Sequence, residues 1–454
     1  MGGLSMSLNT FKGGVHPIEG KDLSKDKPVK ELLPGKELAF PLSQHIGAPA
    51  RAIVAAGDTV LRGQMIAEAG GFVSAPIYAS VSGKVKGIEP RLGAAGAVGD
   101  AIIIENDEQY QEVDFTECDE VDYLSKEEII DKIRTAGVVG MGGAGFPTAV
   151  KMSPKNPDEI DTIIANCAEC EPFLTSDYRQ MMDHPEELVE GMRIILQIFG
   201  KARGFFGVEN NKPDCIAKLE ELVKDEPRMS VIPLKTKYPQ GGERQIIYAC
   251  TGRAINSKML PADAGCIVDN VATICAIYKA VRFGIPVIDR IFTVSGDAVA
   301  EPQNFHIHIG TYMDEILAAA GGTNQEVAKY ISGGPMMGFA MYDTHVASTK
   351  TTSALLAMTA ETCVSYEASA CINCGRCVEA CPENLIPCRL ADYNDRGQKE
   401  LFEQWHGLEC IECGSCSFVC PARRHTAQSV RLMKKQVMAD KRAAAAKAKA
   451  AAAR

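Results

Sequence analysis

Nine of the 17 cysteines in this chain lie within residues 371–420, and eight of the nine form two runs with the same spacing. The first run is Cys371, Cys374, Cys377 and Cys381, and the second is Cys410, Cys413, Cys416 and Cys420. A proline follows each run. The spacing C-x2-C-x2-C-x3-C-P is typical of a pair of [4Fe–4S] clusters, in which the fourth cysteine of each run binds the other cluster. Such a pair carries out single-electron transfer.

The spacing predicts which cysteines share a cluster. One cluster is expected on Cys371, Cys374, Cys377 and Cys420, and the other on Cys410, Cys413, Cys416 and Cys381. Gly375 and Gly414 follow the second cysteine of each run and fit a loop that turns backbone amides toward cluster sulfides. Two structural zinc sites are the alternative, but the third cysteine and the Cys-Pro of each run favour iron and sulfide. Cys388 lies outside the pattern and is expected to be an ordinary buried thiol.

A glycine-rich segment, GVVGMGGAGFPT at 137–148, follows a predicted amphipathic helix at 126–136. Gly140, Gly142 and Gly145 match G-x-G-x-x-G, but the apolar stretch before them is too short for the strand of a Rossmann fingerprint. The exposed amides of such a loop can still approach a phosphate or a planar ring. Taken alone, the loop is as often a plain turn as a ligand site.

Two carboxylates follow a predicted buried strand at 160–166. The strand continues into the sequence NCAECEP, which places Glu169 and Glu171 at its carboxyl end. In α/β sheets this edge is where ligands bind. The same segment contains Cys167 and Cys170, for which a redox dithiol is the alternative interpretation.

These segments resemble the NADH- and FMN-binding flavoprotein subunit of respiratory complex I. GMGGAGFPTAVK, NCAECEP, GGER at 241–244 and NVAT at 270–273 are similar to that family's GRGGAGFPTGxKW, CNADEGEP, CGEET and NVET. The resemblance implies an α/β domain that binds FMN and NAD(H). It carries over as cofactor-binding residues Gly142, Gly143, Ala144, Gly145, Phe146, Lys151, Asn166, Glu169, Glu171, Gly242, Glu243, Asn270 and Thr273. It also implies that Glu171 is the catalytic residue beside the nicotinamide, that Phe146 stacks on the adenine or flavin side, and that Lys151 faces a phosphate.

Three positions depart from the pattern of that family. Ala168 stands where the family has aspartate, Cys170 where it has glycine, and Arg244 where it has a second glutamate. These departures put the contacts to the flavin's ribityl chain in question. The retained Glu171 favours a working site over a degenerate one.

Two further modules flank the nucleotide segments. Residues 34–90 carry short strands with glycine turns and resemble a lipoyl- or biotinyl-type barrel sandwich. Its hairpin tip has the sequence AGGF in place of a carrier lysine, which indicates an adaptor. Residues 290–322 resemble the soluble-ligand-binding β-grasp module. His306 and His308 share one strand face there, and we expect a solvated pair rather than a metal site.

The composition is that of a globular protein of several domains, with 454 residues, 46% hydrophobic and 23% charged. The net charge of -10 argues against nucleic-acid binding, which needs clustered lysine and arginine. Residues 430–454 form a basic, alanine-rich tail, which favours a solvated helix, with docking on anionic lipid or an acidic partner as the alternative. No membrane span or secretory signal is recognised. We therefore expect a chain that stays cytosolic or reaches a membrane through a partner.

The order of these segments over nearly the whole chain resembles the C subunit of the Rnf complex, the ion-translocating ferredoxin:NAD oxidoreductase. The predicted fold class is multidomain α/β and α+β. The predicted domains are a barrel-sandwich adaptor at 1–115, an FMN/NADH-binding α/β domain at 116–288, a β-grasp domain at 289–345, a two-[4Fe–4S] ferredoxin-like domain at 346–429 and a helical tail at 430–454.

The resemblance implies hydride exchange between NADH and FMN, and passage of single electrons through the two clusters. It also implies attachment to the cytoplasmic side of a bacterial membrane through the membrane and iron–sulfur subunits of that complex, with ferredoxin as an indirect partner. Two alternatives stay open. The cobalamin reductase of microcompartments shares the flavin, β-grasp and cluster modules, although the N-terminal barrel sandwich favours the Rnf family. A relay or scaffold with a lapsed nucleotide site would bind clusters without FMN.

Overall fold

The computed structural model describes residues 8–363 and 366–452. The first strands along the chain are β1 (Lys30–Leu32), β2 (Glu37–Pro41), β3 (Arg51–Ala52), β4 (Thr59–Val60), β5 (Met65–Glu68), β6 (Ile77–Tyr78), β7 (Gly83–Leu92) and β8 (Val98–Asn106). One antiparallel sheet has the order β2-β8-β7-β4, and a second has the order β3-β5-β6. Phe40 and Ile102 from the first sheet share a buried core with Ile66 and Ile77 from the second. This is the predicted barrel sandwich.

Residues 101–104 of strand β8 are buried. Because successive side chains of a strand point to opposite sides, this part of the strand is covered on both faces. Ile102 and Ile104 lie in the core of the barrel sandwich. The alternate residues Ala101 and Ile103 pack with Tyr312, which belongs to the predicted β-grasp segment. Strand β8 therefore contributes to the cores of both domains.

The next part of the chain alternates helices with parallel strands. Its elements are α1 (Lys126–Thr135), α2 (Thr148–Lys151), β9 (Thr162–Cys167), α3 (Ser176–Asp183), α4 (Pro185–Ile198), β10 (Arg203–Glu209), α5 (Pro213–Val223), β11 (Met229–Leu234), α6 (Glu243–Thr251), β12 (Cys266–Asn270) and α7 (Val271–Phe283). The strands form a parallel sheet in the order β11-β10-β9-β12. Ile163 and Ala165 of β9 face one core and Ile164 faces another, as expected for a parallel strand covered on both sides.

The third unit is a mixed sheet with one helix. Its elements are β13 (Asp289–Ser295), β14 (Gln303–His308), α8 (Met313–Ala319), β15 (Lys329–Ser332), β16 (Phe339–Met341) and β17 (Ala354–Met358). The strand order is β1-β14-β13-β17-β15-β16. The edge strand β1, from near the start of the chain, therefore pairs with β14. The sheet also includes β17, which lies beyond the range 289–345 predicted for the β-grasp domain.

The two histidines of β14 are covered, so the expectation of a solvated pair is wrong. His306 is 28% exposed and its ring contacts the carboxylates of Glu31 at 2.8 Å and Asp289 at 3.4 Å. The Nδ1 atom of His308 lies 2.6 Å from the carbonyl oxygen of Ser80. The residues that cover this strand come from β1 and the barrel sandwich, which are distant in sequence.

The cysteine-rich part is built from short helices around one long one. They are α9 (Arg376–Glu379), α10 (Pro387–Asp395), α11 (Lys399–Gln404), α12 (Ser415–Phe418) and α13 (Thr426–Ala452). Val430, Met433 and Val437 of α13 pack with Leu390 and Phe402. The start of the basic tail is therefore packed rather than solvated. Among the described helices, none combines the length and apolar character needed to cross a membrane.

The two cysteine runs fold as an internal repeat with an offset of 39 residues. Each run carries three residues with positive φ at equivalent positions, and the pairs are Asn373 and Glu412, Gly375 and Gly414, and Asn384 and Arg423. Gly375 and Gly414, with φ of 80° and 81°, cap the N-termini of α9 and α12. The left-handed conformation at these glycines agrees with the tight turns that the sequence predicts.

Candidate redox centre

The carboxyl end of β9 is tied to the turn that precedes α6. The Nδ2 atom of Asn166 donates a hydrogen bond to the carbonyl of Gly241 at 2.8 Å, and the N–H of Gly241 donates to the Sγ of Cys170 at 3.3 Å. Gly242 caps the N-terminus of α6, where Glu243 begins the helix. The second and third predicted motifs are therefore in direct contact.

Glu169 is nearly fully buried beside this turn. Its Oε1 accepts a hydrogen bond from the backbone N–H of Asp177 at 2.7 Å. The ammonium of Lys21 lies 3.6 Å from its Oε2. Within the described residues, that Oε2 has no hydrogen-bond donor at normal distance. Glu169 also has a positive φ of 47°, a strained conformation that is often found at functional sites.

Glu171 is fixed by a loop of the third unit. Its Oε2 accepts a hydrogen bond from the N–H of Met336 at 3.0 Å, and its Oε1 accepts one from the N–H of Met337 at 2.9 Å. A Cβ on Gly334 would stand 2.2 Å from the Glu171 carboxylate, so this loop needs glycine at that position. Burial raises the pKa of Glu171 to about 7, even though both amides favour its charged form.

The glycine-rich loop forms a tight turn between Val139 and Pro147, which make an isolated β-bridge. The residues at 142–144 are exposed, and Phe146 is 37% exposed. The N–H of Met141 donates to the Oγ1 of Thr273 at 2.9 Å, which anchors the loop to α7. A Cβ on Gly142 would stand 2.8 Å from the side chain of Asn270, so the loop lies directly against the fourth motif.

Lys151 does not extend freely from the loop. Its ammonium donates to the carbonyl of Val268 at 2.6 Å and to the Oδ1 of Asp269 at 2.9 Å. Burial lowers the pKa of Lys151, but the charges of Asp269 and Glu243 outweigh burial and leave its pKa above the ordinary value. The lysine is therefore charged and held at the end of β12.

Asp177 connects the second motif with the fourth. Its Oδ2 accepts a hydrogen bond from the Nδ2 of Asn270 at 2.6 Å, while its backbone N–H donates to Glu169. Burial and the neighbouring Glu169 raise the pKa of Asp177 to about 7. The structure thus brings the four motifs to the carboxyl ends of β9 and β12, whereas the sequence placed only the second motif at a strand end.

Sequence reasoning missed several buried residues of this site. Lys21 donates hydrogen bonds to the carbonyls of Glu171 and Leu174 at 3.1 and 2.6 Å, and burial lowers its pKa. Lys212 donates to the carbonyl of Ala168 at 2.6 Å. The sequence could have indicated only Lys212 as a site residue, because it follows the end of a buried strand. Nothing in the sequence distinguishes Lys21 from its neighbours.

Four of the predicted cluster ligands line one small cavity. Cys381, Cys410, Cys413 and Cys416 all line this cavity. The N–H of Leu385 donates to the Sγ of Cys381 at 3.4 Å, and the N–H of Glu412 donates to the Sγ of Cys410 at 3.3 Å. Backbone N–H groups directed at cysteine sulfur are the surroundings that stabilise iron–sulfur clusters.

The other four predicted ligands lie in a more open region. Cys374 is exposed, and Cys420 lines a wide cleft with Arg376 and Arg423. Cys377 contacts Cys388, a cysteine outside the predicted pattern. Within the part of the chain that the structure describes, no group of three His, Cys, Asp or Glu side chains has a geometry that could hold a metal ion.

The cavity of the second cysteine run adjoins the nucleotide segments. The hydroxyl of Tyr238 donates to the carbonyl of Cys413 at 2.7 Å. Cys170 and Met336 pack against the same small apolar cluster as Tyr238 and Cys413. A Cβ on Gly414 would stand 3.0 Å from the carbonyl oxygen of Met336. The loop that holds Glu171 therefore touches the cysteine cavity.

Four family models match successive parts of the chain. They are the RnfC barrel sandwich hybrid domain at residues 9–109, the Nuo51 FMN-binding domain at 133–279, the SLBB domain at 291–340 and the 4Fe-4S dicluster domain at 370–432. These matches confirm the predicted fold class. Fold and site together define a multidomain electron-transfer protein in which an FMN-binding domain is joined to an iron–sulfur domain.

Two relatives align over almost the whole chain. The C subunit of the proton-translocating ferredoxin:NAD(+) oxidoreductase complex of Clostridium ljungdahlii is 43% identical, and the alignment covers 94% of both chains. The C subunit of the Na(+)-translocating ferredoxin:NAD(+) oxidoreductase complex of Acetobacterium woodii is 40% identical, and the alignment covers 97% of this chain and 99% of the relative. The chain belongs to the family of C subunits of ion-translocating ferredoxin:NAD(+) oxidoreductase complexes, which confirms the predicted resemblance.

Among solved structures, the air-oxidised NAD+-reducing [NiFe]-hydrogenase shows a weaker similarity. The sequences are 19% identical, the TM-score is 0.48, and the match covers 63% of this chain and 54% of the hydrogenase chain. At these values the similarity adds nothing to the family assignment.

Proposed function

We propose that this chain exchanges electrons with NAD(H) through bound FMN and passes them through two [4Fe–4S] clusters to or from the other subunits of an Rnf-type complex. The names of its relatives support NAD(+) and ferredoxin as the end partners and ion translocation as the coupled process. In this proposal the chain lies on the cytoplasmic side of the cell membrane and binds no nucleic acid.

The observation that carries the proposal is the contact between the two kinds of site. Met336 donates a hydrogen bond to Glu171 through its N–H, and its carbonyl approaches Gly414, which follows the cluster cysteine Cys413. A nucleotide site and a cluster site that share one intervening residue are suited to direct electron transfer. The cluster of Cys381, Cys410, Cys413 and Cys416 is accordingly the one beside the flavin.

The residues of the nucleotide edge fit FMN and NAD(H). The exposed residues 142–144 leave room for a ring or a phosphate, and no atom lies within 4 Å of the position of a Cβ on Gly143. The buried Oε2 of Glu169, which lies 3.6 Å from the Lys21 ammonium, still has the capacity to accept a hydrogen bond from a ligand. The residues proposed to hold the cofactors are those that match the complex I motifs, from Gly142 to Thr273.

Bound FMN would supply hydride exchange with NADH and single-electron exchange with the clusters, each of which would carry one electron. The chain itself supplies binding and orientation. Glu171 is rigid because two amides hold it, and it is proposed to position the nicotinamide. Phe146 offers an exposed ring for stacking. Lys151 is already paired with Asp269, so it is proposed to contribute positive charge at this edge rather than a free ammonium.

The eight cysteines of the two runs are proposed as the cluster ligands, in the two sets that the spacing predicts. The cavity around Cys381, Cys410, Cys413 and Cys416 supports one set, because it joins three cysteines of the second run with the last cysteine of the first. The internal repeat supports the other set, because equivalent residues adopt the same backbone conformations in both runs.

The test is anaerobic purification with iron, sulfide and FMN quantified, followed by NADH titration in the visible spectrum. We expect about eight iron atoms per chain, one FMN, and bleaching of both chromophores by NADH. The same iron content without flavin binding or bleaching would contradict the nucleotide part of the proposal.

A second candidate is an iron–sulfur relay whose nucleotide site has lapsed. One observation favours it: both oxygens of Glu171 already accept backbone hydrogen bonds, which leaves the carboxylate little freedom to meet a substrate. The NADH titration separates the two candidates, since the relay would bind clusters without responding to NADH.

A further inference from the structure

Arg244 joins the FMN-binding domain to the cysteine-rich domain through two carboxylates. It lies in the first turn of α6, and its Nη1 contacts the Oε2 of Glu383 at 2.6 Å and the Oε2 of Glu409 at 3.0 Å. The side chains are 17%, 11% and 24% exposed, so solvent screens these ion pairs only in part. Arg244 is one of the three positions that depart from the complex I pattern.

The two carboxylates are held at all four oxygens by the same domain. The Oε1 of Glu383 accepts a hydrogen bond from the Nε2 of Gln245 at 2.7 Å. The backbone N–H of Ser257 donates to the Oε2 of Glu409 at 2.6 Å, and its hydroxyl donates to the Oε1 at 2.5 Å. We call this group of residues, Arg244, Gln245, Ser257, Glu383 and Glu409, the interdomain clamp.

The clamp is attached to the cluster that lies beside the flavin. Glu383 follows the ligand Cys381 by two residues, and Glu409 immediately precedes the ligand Cys410. These cysteines come from different runs, so the clamp fixes both halves of the repeat at once. On the other side, Arg244 is two residues from Gly242, in the turn that contacts Asn166 through Gly241.

We propose that Arg244 is a positioning residue, which sets the distance between the flavin and the cluster of Cys381, Cys410, Cys413 and Cys416. The inference rests on the proposed function. Electron tunnelling falls steeply with distance, so a domain interface that loosens by a fraction of an ångström slows transfer without altering either cofactor. Removing Arg244 leaves two carboxylates without their cation at a half-buried interface, which pushes the domains apart.

The test compares Arg244→Gln with the unaltered protein in anaerobic stopped-flow reduction by NADH. Bleaching of the flavin and bleaching of the clusters are followed at separate wavelengths. We expect flavin reduction to keep its rate and its dependence on NADH concentration, while cluster reduction slows several-fold because the electron must cross a longer gap between the domains. Equal cluster rates in the two proteins would overturn the inference.

Arg193→Gln is the matched control. Arg193 also pairs with two carboxylates, Glu190 and Glu226, but all three residues lie within the FMN-binding domain. We expect this variant to behave as the unaltered protein in both phases. A similar slowing in Arg193→Gln would show a general effect of removing a doubly paired arginine and would overturn the inference.

A structural readout accompanies the kinetics. Backbone hydrogen exchange in residues 383–385 and 409–414 should rise in Arg244→Gln and stay unchanged in Arg193→Gln, with iron and FMN content equal in all three proteins. Unchanged exchange in those residues would overturn the inference. If the unaltered protein binds no flavin, the proposed function itself has failed, and the exchange measurement still decides whether the clamp holds the two domains together.

Discussion

The hydroxyl of Tyr238 donates a hydrogen bond to the carbonyl oxygen of Cys413 at 2.7 Å. Tyr238 is 1% exposed and follows the parallel sheet, whereas Cys413 belongs to the second cysteine run. Burial raises the pKa of the tyrosine well above its ordinary range, so the phenol stays protonated and remains a donor. The contact ties a proposed cluster ligand to the FMN-binding domain.

Replacing Tyr238 with phenylalanine removes this donor and leaves a buried carbonyl unsatisfied. We expect Tyr238→Phe to lower the free energy of unfolding by about 1–3 kcal/mol. Urea unfolding of the cluster-loaded protein measures it, with Tyr123→Phe, a substitution at an 86% exposed tyrosine, as the control. A loss no larger than in the control would show that the hydrogen bond contributes nothing.

Glu171→Gln tests the proposed position of the nicotinamide. Glutamine has one amide group where the carboxylate accepts hydrogen bonds from both Met336 and Met337, so its NH2 would face a backbone N–H. We expect NADH oxidation to fall by about 10- to 100-fold because the group beside the nicotinamide is displaced. Iron and FMN content should stay unchanged, and undiminished turnover would contradict the assignment.

His306 gives the stability a dependence on alkaline pH. Burial opposes its charged form, but Asp289 and Glu31 outweigh burial and raise the pKa of His306 to about 9. The folded pKa is above the unfolded value of about 6.5, so the stabilisation is complete below that pH and is lost as pH rises through about 9.

We expect a loss of about 1–2 kcal/mol over this range, reduced because Glu31 is 77% exposed. Thermal unfolding between pH 6 and 10 measures it. His306→Gln should be less stable at the lower pH and should lack the additional decline. A variant with the same decline would assign the pH dependence to other groups.

Cys381→Ser tests whether the last cysteine of the first run binds the cluster of the second. We expect iron to fall from about eight to about four atoms per chain, since one cubane loses a ligand. Cys388→Ser is the control, because Cys388 contacts Cys377 but lies outside the pattern. Retention of all iron in Cys381→Ser, or equal loss in the control, would contradict the predicted ligand sets.

The sequence predicts the modules of this chain because their signals are local. The cysteine spacing and the two glycines after it, Gly375 and Gly414, describe turns that each run forms by itself. The second nucleotide motif likewise follows a predicted strand end, so its position in the fold comes from the alternation of strands and helices. The alignment with the clostridial and acetobacterial relatives confirms the family that these signals indicated.

The contacts that complete the site were not predictable, since they join residues far apart in the chain. Lys21 reaches Glu171 across 150 residues, and Met336 reaches it across 165. In the sequence, Lys21 is one lysine in a polar stretch, and burial is decided only when the domains pack. Arg244 illustrates the same point, because its departure from the complex I pattern makes sense only beside Glu383 and Glu409.

The place of β1 at the edge of the mixed sheet has a consequence for the nascent chain. Lys30 of β1 pairs with Phe305 of β14, so the partner strand is made 275 residues later. At the usual rates of protein synthesis this takes roughly 15–55 s. Until β14 is made, β1 lacks its partner strand, and charges such as those of Lys30 and Glu31 disfavour the pairing of an open strand with another chain. The exposed charges of this short strand are therefore of the kind that keeps nascent chains apart.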